Sequence, residues 1–397
     1  MKVLISSYVH WWNAEAAYAA ARAEVLRDAG HQVLVLTRPG TRNEEHLRQK
    51  GLPVNTEIPL HSSNPLRLAA ALRRLRRLQR EGGYEVVDVF HARELPWHLL
   101  AAGRLGLGWL RAPLAGLRPA VVRTRGNARG ARGHILNRLL HGRLCQGLIA
   151  SAEVVRRQML DSLALTPEQV QTIYYPAPDR AEIPAPQAAA ARRLLLEQTG
   201  LKPQSRLLAL VGRIAPVKGH DHMLRALVRL GEAHPDAALL VLNKDYPGER
   251  EHRQELERRI GELGLAGRVR IMGFRQDVHE LMGAVDIGVI PSLASETNCR
   301  VAVEFFAAGT PVVAYPTGAL PEVVEHGVSG LVTPAGAPEH LAAALESILG
   351  DRALLERLGR GARQSAGERF SRERFLEQTL AVYHRALAAC HRAPGAP

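Results

Sequence analysis

Arg213 and Lys218 stand five positions apart in LVGRIAPVKGHD (210–221), at the end of a run that reads as a β-strand. Two fixed cations at a strand end, beside the free N–H groups of the helix that follows, would make a pocket for a diphosphate. The turn is not a P-loop, because Gly-x4-Gly-Lys-Ser/Thr is absent. Taken alone, the pair reads equally well as two solvated surface cations. Glu296 and Glu304 flank seven largely apolar or small residues in SETNCRVAVEFFAAGTPVVAY (295–315). Acids rarely enter such surroundings without a partner. A carboxylate accepts two hydrogen bonds side by side, which suits neighbouring hydroxyls. Glu296 could thus take sugar hydroxyls and Glu304 a ribose diol. The alternative has Glu296 complementing a helix dipole and Glu304 on a solvent face. Val301, Val303, Phe305 and Phe306 beside Glu304 weigh against its second half.

These side chains need elements that deliver them to one place. IGVIPS (287–292) reads as a strand, followed by a loop. A helix is expected to begin near Cys299–Arg300 and to end at Gly309, with Pro311 opening the next strand. Glu296 then lies at the helix N-terminus and Glu304 just over one turn along it. The free amides of Asn298, Cys299, Arg300 and Val301 could hold hydroxyls or a phosphate.

The wider pattern is strand then helix, in two halves. KVLIS, QVLVLT, VVDVFHA (86–92), AVVRTR (120–125) and GLIAS (147–151) read as strands of the first half, with a helix around 14–29. YYPAPDRAEIPAPQ (174–187) holds four prolines and reads as a linker. The second half runs RLLALVGRI (206–214), a helix near 219–234, ALLVLN (238–243), a charged helix near 248–264, VRIMGF (269–274), IGVIPS, PVVAY (311–315), GLVTP (330–334) and a helix near 338–348. A final helix follows near 371–389. The expected fold is α/β: two doubly wound Rossmann-like domains facing a cleft, residues 1–180 and 188–370, with the last helix able to pack back on the first. In such sheets ligands bind at the C-terminal ends of the strands.

Composition narrows the class. The chain has 397 residues, of which 46% are hydrophobic, enough for sizeable cores. Three cysteines, Cys145, Cys299 and Cys390, are too few and scattered for a disulfide framework or zinc site, which fits a reducing cytosol. The opening MKVLISSYVHWW reads as a buried strand and not a signal peptide, and no run approaches a membrane span. Charge is uneven. Residues 1–200 carry 28 Lys+Arg against 16 Asp+Glu, whereas residues 201–397 carry 24 against 23. Residues 101–150 hold nine arginines and no acid. That asymmetry points to a polyanionic partner for the first half, unless it reflects only an Arg-rich composition.

The motifs of the second half keep order and spacing over residues 205–345 and resemble the retaining nucleotide-sugar glycosyltransferases of family 4, which have the GT-B fold. The matching stretches are VGRIAPVKGHD, ETNCRVAVE and AAGTPVVAYPTGALPEVVEHGVSGLV. The resemblance implies that the Gly212 turn carries Arg213 and Lys218 to the donor's phosphates, that Glu296 contacts the transferred sugar, and that Glu304 contacts the ribose. It also implies that the backbone of Gly273, Phe274 and Arg275 lies near the base. The first half is similar more loosely. DVFHARE (88–94) matches "DvvHaHe" with Arg93 in place of the second histidine, and TRGN (124–127) puts Arg125 where many members carry a histidine near the donor sugar. The family's first loop usually carries "GG" against the diphosphate; here it reads YVHWWNAEA (8–16), so Asn13 or Ala14 would supply the amide. His91 is either an acceptor-side residue or a satisfied strand-end histidine, and Trp11 or Trp12 is expected to line the acceptor side.

The implied reaction retains the anomeric configuration, with a nucleoside diphosphate as leaving group. Arg213 and Lys218 would neutralise its charge. No Asp-x-Asp occurs, so no metal is expected to bridge the diphosphate, and no cofactor beyond the donor is expected. PLRLAAALRRLRRLQREGG (65–83) reads as a helix with Leu68, Leu72, Leu75 and Leu78 on one face and Arg73, Arg74, Arg76, Arg77 and Arg80 around the rest. It could lie on an anionic bilayer through residues 66–80, or pack on the sheet with a solvated basic face. The expected protein is a cytoplasmic enzyme, peripheral on the inner leaflet, that adds sugar to a lipid-linked or polysaccharide acceptor of the bacterial envelope, such as a lipopolysaccharide or exopolysaccharide. The rivals are a GT-B enzyme on soluble substrates (an epimerase, or a sucrose- or trehalose-type enzyme) and a non-enzymatic polyanion binder. Nucleic acid is disfavoured because the arginines lack interleaved aromatics. A Rossmann dehydrogenase is disfavoured because no Gly-x-Gly-x-x-Gly follows a strand.

Overall fold

The computed structural model describes residues 1–62, 64–105, 119–127, 133–178, 183–243, 248–294 and 296–391. Arg111, Arg118, Arg129 and Arg132 of the acid-free stretch, Ser295, and residues 179–182 of the proline-rich stretch lie outside the described residues. The chain forms two compact units, one of residues Met1–Tyr175 with Glu373–Pro397, the other of residues Pro176–Arg372.

The first unit is built on β1 (Lys2–Ser6), β2 (Gln32–Leu36), β3 (Val54–Asn55), β4 (Val86–Val89), β5 (Ala120–Arg125), β6 (Gly147–Ala150) and β7 (Val170–Thr172). They form one parallel sheet in the order β3-β2-β1-β4-β5-β6-β7. Successive side chains of a strand point to opposite faces. Val3 and Ile5 therefore enter one core, with Tyr18, Val35 and Phe375, while Leu4 enters the other, with Leu36, Leu75 and Leu99. Strands this uniformly apolar are those of a sheet covered on both sides.

The helix Arg372–His391 follows the second unit along the chain, but from Glu373 on it belongs to the first unit. Phe375, Val382, Tyr383 and Ala386 bury its inner side against the β1 core. A polar network fixes its register. Arg22 is fully buried and donates to Asp88 at 2.7 Å, Thr124 at 2.8 Å and Tyr18 at 3.0 Å. Tyr383 Oη donates to the same Asp88 oxygen at 2.8 Å. Burial and Asp88 raise the Tyr383 phenol well above its ordinary pKa, which keeps it a donor.

The second unit contains β8 (Arg206–Val211), β9 (Ala237–Leu242), β10 (Val269–Met272), β11 (Ile287–Ile290), β12 (Val312–Ala314) and β13 (Gly330–Val332). Their parallel order is β10-β9-β8-β11-β12-β13. The chain runs outward from β8 to β10, then returns to β11 on the other side of β8. Loops leaving β8 and β11 thus diverge at a topological switch point, where open α/β sheets bind ligands.

Several local expectations change. The helix Ala185–Thr199 begins inside the stretch read as a linker, and the helix Arg352–Glu368 precedes the terminal one. The basic helix spans Pro65–Glu81, and its leucine face turns inward: Leu75 is fully buried with Ala71 and Gln79, and Leu72 and Leu78 pack half-buried against the same core. Gln79 is buried because its amide donates to His98 Nδ1 at 3.0 Å, while His98 Nε2 is 2.9 Å from Ser6 Oγ.

Candidate donor site and acceptor-side cluster

In the second unit β8 ends at Val211, and Gly212 begins the turn toward Lys218. Gly219 follows at φ +71°, and a Cβ there would lie 2.0 Å from the carbonyl oxygen of Pro291. Only glycine allows this approach between the loops after β8 and β11. Leu293 N then donates to Val217 O at 2.8 Å. The loop contact sets Lys218 against Glu296: Lys218 Nζ donates to Glu296 Oε1, and Ser292 Oγ donates to the same oxygen at 2.7 Å. The Glu296 side chain is 13% exposed and that of Lys218 is 23% exposed. Gly318, at φ +59°, holds the backbone of Glu296 from the other side. A Cβ there would fall 1.8 Å from Glu296 O, which accepts from Ala319 N at 2.8 Å. A cavity of about 20 Å³, bordered by Lys218, Ser292, Glu296, Cys299 and Val301, has room for one water.

Arg213 is brought to the same strand end but not into this group. Its side chain is half exposed, and Nη1 lies 3.4 Å from Glu249 Oε1. Cys299 turns the chain into the helix Arg300–Ala307 through a left-handed conformation, φ +44°, that a side chain adopts only at a cost. Its thiol is buried, and burial, reinforced by Glu296 and Glu322, raises it well above the ordinary range, which disfavours the reactive thiolate. Asn298 is buried beside it. On the helix, Ala302, Val303, Phe305 and Phe306 face the core. Glu304 is therefore not crowded by them, as its sequence neighbours suggest. At about 100° per residue it turns to the opposite side, with Arg300 Nε at 3.3 Å and Val301 half-buried nearby in the chain. Beyond β10, Gly273 and Phe274 are exposed, while the Arg275 fork is engaged by Asp277 at 2.8 and 2.6 Å.

The first unit presents its own switch point between β1 and β4. Asn13 caps the helix Ala14–Asp28 by accepting from Ala16 N at 2.9 Å. Trp11 is 46% exposed, whereas Trp12 stacks on His46 with centroids 4.6 Å apart and packs on the core. After β4, His91 Nδ1 lies 3.3 Å from Glu94 Oε1, and Arg93 points to solvent. The hydrogen bond to Glu94 holds His91 above its ordinary pKa, although burial opposes it. Burial raises Glu15, in the first turn of the helix, against the pull of Arg123 and His91. Burial, helped by Arg123, lowers Arg125 to about 10. Arg123 itself is buried and donates to the carbonyls of Val89 at 2.9 Å and Phe90 at 2.6 Å. Glu15, His91, Glu94, Arg123 and Arg125 thus form one coupled ionisable cluster at the ends of β1, β4 and β5. Sequence reasoning found His91 and Arg125 but missed Glu15, Glu94, Arg123 and, in the second unit, Ser292. Glu94 lies three residues beyond His91, and that spacing on a helical turn was the available signal.

Two family sequence patterns match the chain. One, described as Glycosyltransferase Family 4, covers residues 16–177. The other, described as Glycosyl transferases group 1, covers residues 192–365. A D-inositol 3-phosphate glycosyltransferase of Jonesia denitrificans is 32% identical over 246 residues, 61% of this chain and 57% of the relative. An MMP alpha-(1->4)-mannosyltransferase of Mycolicibacterium hassiacum is 36% identical over 189 residues, 47% of this chain and 44% of the relative. The match thus spans about half the length of these curated relatives. Among solved structures, Anabaena Alr3699/HepE in complex with UDP has a TM-score of 0.79 at 23% identity, over 96% of this chain and 99% of that one. A glycosyltransferase from Rickettsia africae ESF-5 has a TM-score of 0.82 at 17% identity, over 97% and 98%. The two parallel Rossmann-like sheets are those of the GT-B fold, and the chain belongs to glycosyltransferase family 4.

Proposed function

We propose that the chain transfers a sugar from a nucleotide-diphosphate donor to a hydroxyl of a lipid-linked or polysaccharide acceptor in bacterial envelope glycan synthesis, with retention at the anomeric carbon. The observation that carries the donor half is the meeting of Lys218, Ser292 and Glu296 at the β8/β11 switch point, with Arg213 and Glu304 leaving the same two strands. In this reading Lys218 and Arg213 hold the diphosphate, Glu296 the sugar hydroxyls and Glu304 the ribose diol. The bond from the anomeric carbon to the phosphate oxygen breaks as the acceptor oxygen bonds to the same face. The departing phosphate takes the acceptor's proton, so no side chain serves as base. Preorganised cations aimed at the charge that builds on the phosphate supply the main catalytic help, and no bridging metal is required.

The acceptor half rests on the basic helix Pro65–Glu81, whose Arg67, Arg73, Arg74, Arg76, Arg77 and Arg80 are exposed. Such a face suits an anionic inner leaflet, and this reading has the enzyme work from the cytoplasmic side. Cys145, Cys299 and Cys390 are all free thiols, as a reducing compartment favours. A second reading, a soluble phosphorylated polyol as acceptor, is favoured by the names of the sequence relatives. The test offers the purified chain each nucleotide sugar with either a lipid-linked saccharide or D-inositol 3-phosphate, and follows nucleoside diphosphate release. Product formed only on the lipid-linked acceptor, with retained anomeric configuration by NMR, supports the proposal. Product formed only on the inositol phosphate selects the second reading.

A further inference from the structure

The helix Arg42–Gln49 stands at the C-terminal ends of β1 and β2. Asn43, in its first turn, is fully buried and fixes it there: its amide donates to Ser7 O and to Thr37 Oγ1, both at 2.9 Å. Trp12 pins the loop after β1 to the same helix, its ring stacked on His46. The neighbouring Trp11 is left half-exposed, edge-to-face with His10 at a centroid distance of 4.7 Å. Between loop and helix lies a cavity of about 450 Å³, bordered by His10, Trp11, Arg42, Glu44, Glu45 and Arg48. Cavities of roughly 300–1,000 Å³ with an aromatic wall and a few convergent polar groups are the common form of small-ligand sites.

The lining selects the ligand chemistry. Arg42 Nη1 donates to Glu45 Oε2 at 3.1 Å, and Arg48 Nε donates to Glu44 Oε1 at 2.9 Å. Two guanidiniums thus meet two carboxylates, and the cavity, His10 aside, carries no net charge. That is unlike the first half of the chain as a whole, with its 28 Lys+Arg against 16 Asp+Glu. An anion entering here meets Glu44 and Glu45 as well as the arginines, whereas a neutral ligand meets no like charge. Glu44 is committed locally, since its Oε2 accepts from Gly40 N at 2.8 Å. Arg42 and Glu45 are exposed, and a guanidinium and a carboxylate side by side offer more donors and acceptors than one pairing occupies. The face of Trp11 is apolar and electron-rich, which suits the C–H-bearing face of a pyranose. A ring with one such face and a rim of hydroxyls that both donate and accept is a neutral sugar.

The cavity flanks the reacting centre. In the order β2-β1-β4, β2 lies on the far side of β1 from the β1/β4 switch point, and neighbouring strands are about 4.8 Å apart. The coupled cluster of Glu15, His91, Glu94, Arg123 and Arg125 occupies the switch-point side, where open sheets bind the ligand that reacts. We propose that Trp11, Arg42, Glu45 and Arg48 form a subsite for a neutral sugar ring and, resting on the glycan-acceptor reading above, that this ring is a residue of the acceptor next to the one that receives the transferred sugar. Held away from the bond being made, it contributes binding that is the same in ground and transition states. The subsite therefore lowers acceptor KM and leaves kcat nearly unchanged.

The experiment follows the indole N–H signals of the nitrogen-15-labelled full chain by NMR, the Trp11 signal being the one absent from Trp11→Ala. The probes are maltose, cellobiose, lactose and mannobiose, with inorganic phosphate as the anion, each to about 20 mM, enough to saturate a site with a Kd of about 1 mM. At least one disaccharide is expected to shift the Trp11 signal saturably, and phosphate is not. Arg42→Gln/Glu45→Gln, which keeps the side-chain shapes, is expected to bind that sugar about three- to tenfold more weakly. Both positions and Trp11 lie at the surface, and a circular dichroism melt checks the fold of each variant. No shift with any disaccharide, an equal shift with phosphate, or undiminished binding in Arg42→Gln/Glu45→Gln would overturn the sugar subsite. Kinetics then test its place in the reaction: on a glycan acceptor that the parent uses, Trp11→Ala should raise acceptor KM about tenfold with kcat within about twofold. An unchanged KM would overturn the assignment of the subsite to the acceptor. Saturable sugar binding at Trp11 in a chain that transfers to no glycan would uphold the sugar subsite and overturn the acceptor reading instead.

Discussion

Lys218 and Glu296 belong to loops from different strands, yet Lys218 Nζ donates directly to Glu296 Oε1, and Ser292 shares that oxygen. The backbones are held together by Gly219 against Pro291 and by Gly318 against Glu296. A donor that offers a diphosphate to Lys218 and hydroxyls to Glu296 would insert into an existing ion pair. The pair therefore prearranges the two groups at the strand ends.

Lys218→Ala should lower kcat by about 10²–10³, with a smaller change in donor KM, because the cation acts on charge that develops as the diphosphate leaves. Steady-state kinetics with the preferred donor checks this. A KM effect with unchanged kcat would assign Lys218 to ground-state binding alone.

Glu304→Ala should raise donor KM by roughly 10- to 100-fold, the loss of one or two charge-assisted hydrogen bonds. A 2′-deoxyribose donor supplies the control: the gap between parent and variant should narrow sharply with it. An undiminished gap would mean that Glu304 acts elsewhere, for example by holding Arg300 at 3.3 Å.

His91 should titrate above the ordinary histidine value of about 6.5, because Glu94 favours its charged form. The contribution of this pair to stability is whole below the unfolded pKa and is lost as pH rises through the higher folded one. NMR titration of the imidazole C–H signals in the parent and in Glu94→Gln measures it. The variant's midpoint should fall, and an unchanged midpoint would dissolve the pair.

Acid should unfold the protein early. Burial lowers His98 to about 3, and lowers His141 and His220 to about 4. Each stays neutral in the folded chain while the unfolded chain takes up a proton, so stability is lost as pH falls from about 6.5 toward 4. Unfolding free energies from urea titrations at about pH 7 and about pH 5 should differ by a few kcal/mol, with a lower midpoint at pH 5. Equal midpoints would contradict these assignments.

The terminal helix should be held by its polar anchor. Arg22→Met leaves Asp88 buried without its cation and should cost about 3–5 kcal/mol. Tyr383→Phe removes one hydrogen bond to Asp88 and should cost about 1–3 kcal/mol. Denaturant melts of both variants give the comparison.

The fold class was legible because most strands are short apolar runs alternating with helices, and β1, β4, β8 and β11 are all such runs. The edge strands Val54–Asn55 and Val170–Thr172 were not, being too short and polar to carry a period. For the candidate site, chain order exposed Arg213, Lys218 and Glu296 at strand ends or beside a helix start, and Glu304 one turn along that helix. Contacts across loops were hidden. Nothing in the string says that Ser292 turns to Glu296, or that Arg213 turns away to Glu249. Glu304 shows the limit most plainly. Its apolar neighbours in sequence face the core, while it does not. Likewise Ile135, Leu136 and Leu139 read as core residues by type, and only the fold reveals them as exposed.

The most direct test of the central claim is a thermal-shift screen of the purified chain against UDP-, GDP-, ADP- and dTDP-sugars, with and without magnesium. A donor at about a hundred times its Kd should stabilise the fold by about 2.7 kcal/mol. The account predicts a shift with one nucleotide, the same with or without magnesium, and lost in Glu304→Ala. No shift with any donor, or a shift of equal size in Glu304→Ala, would contradict it.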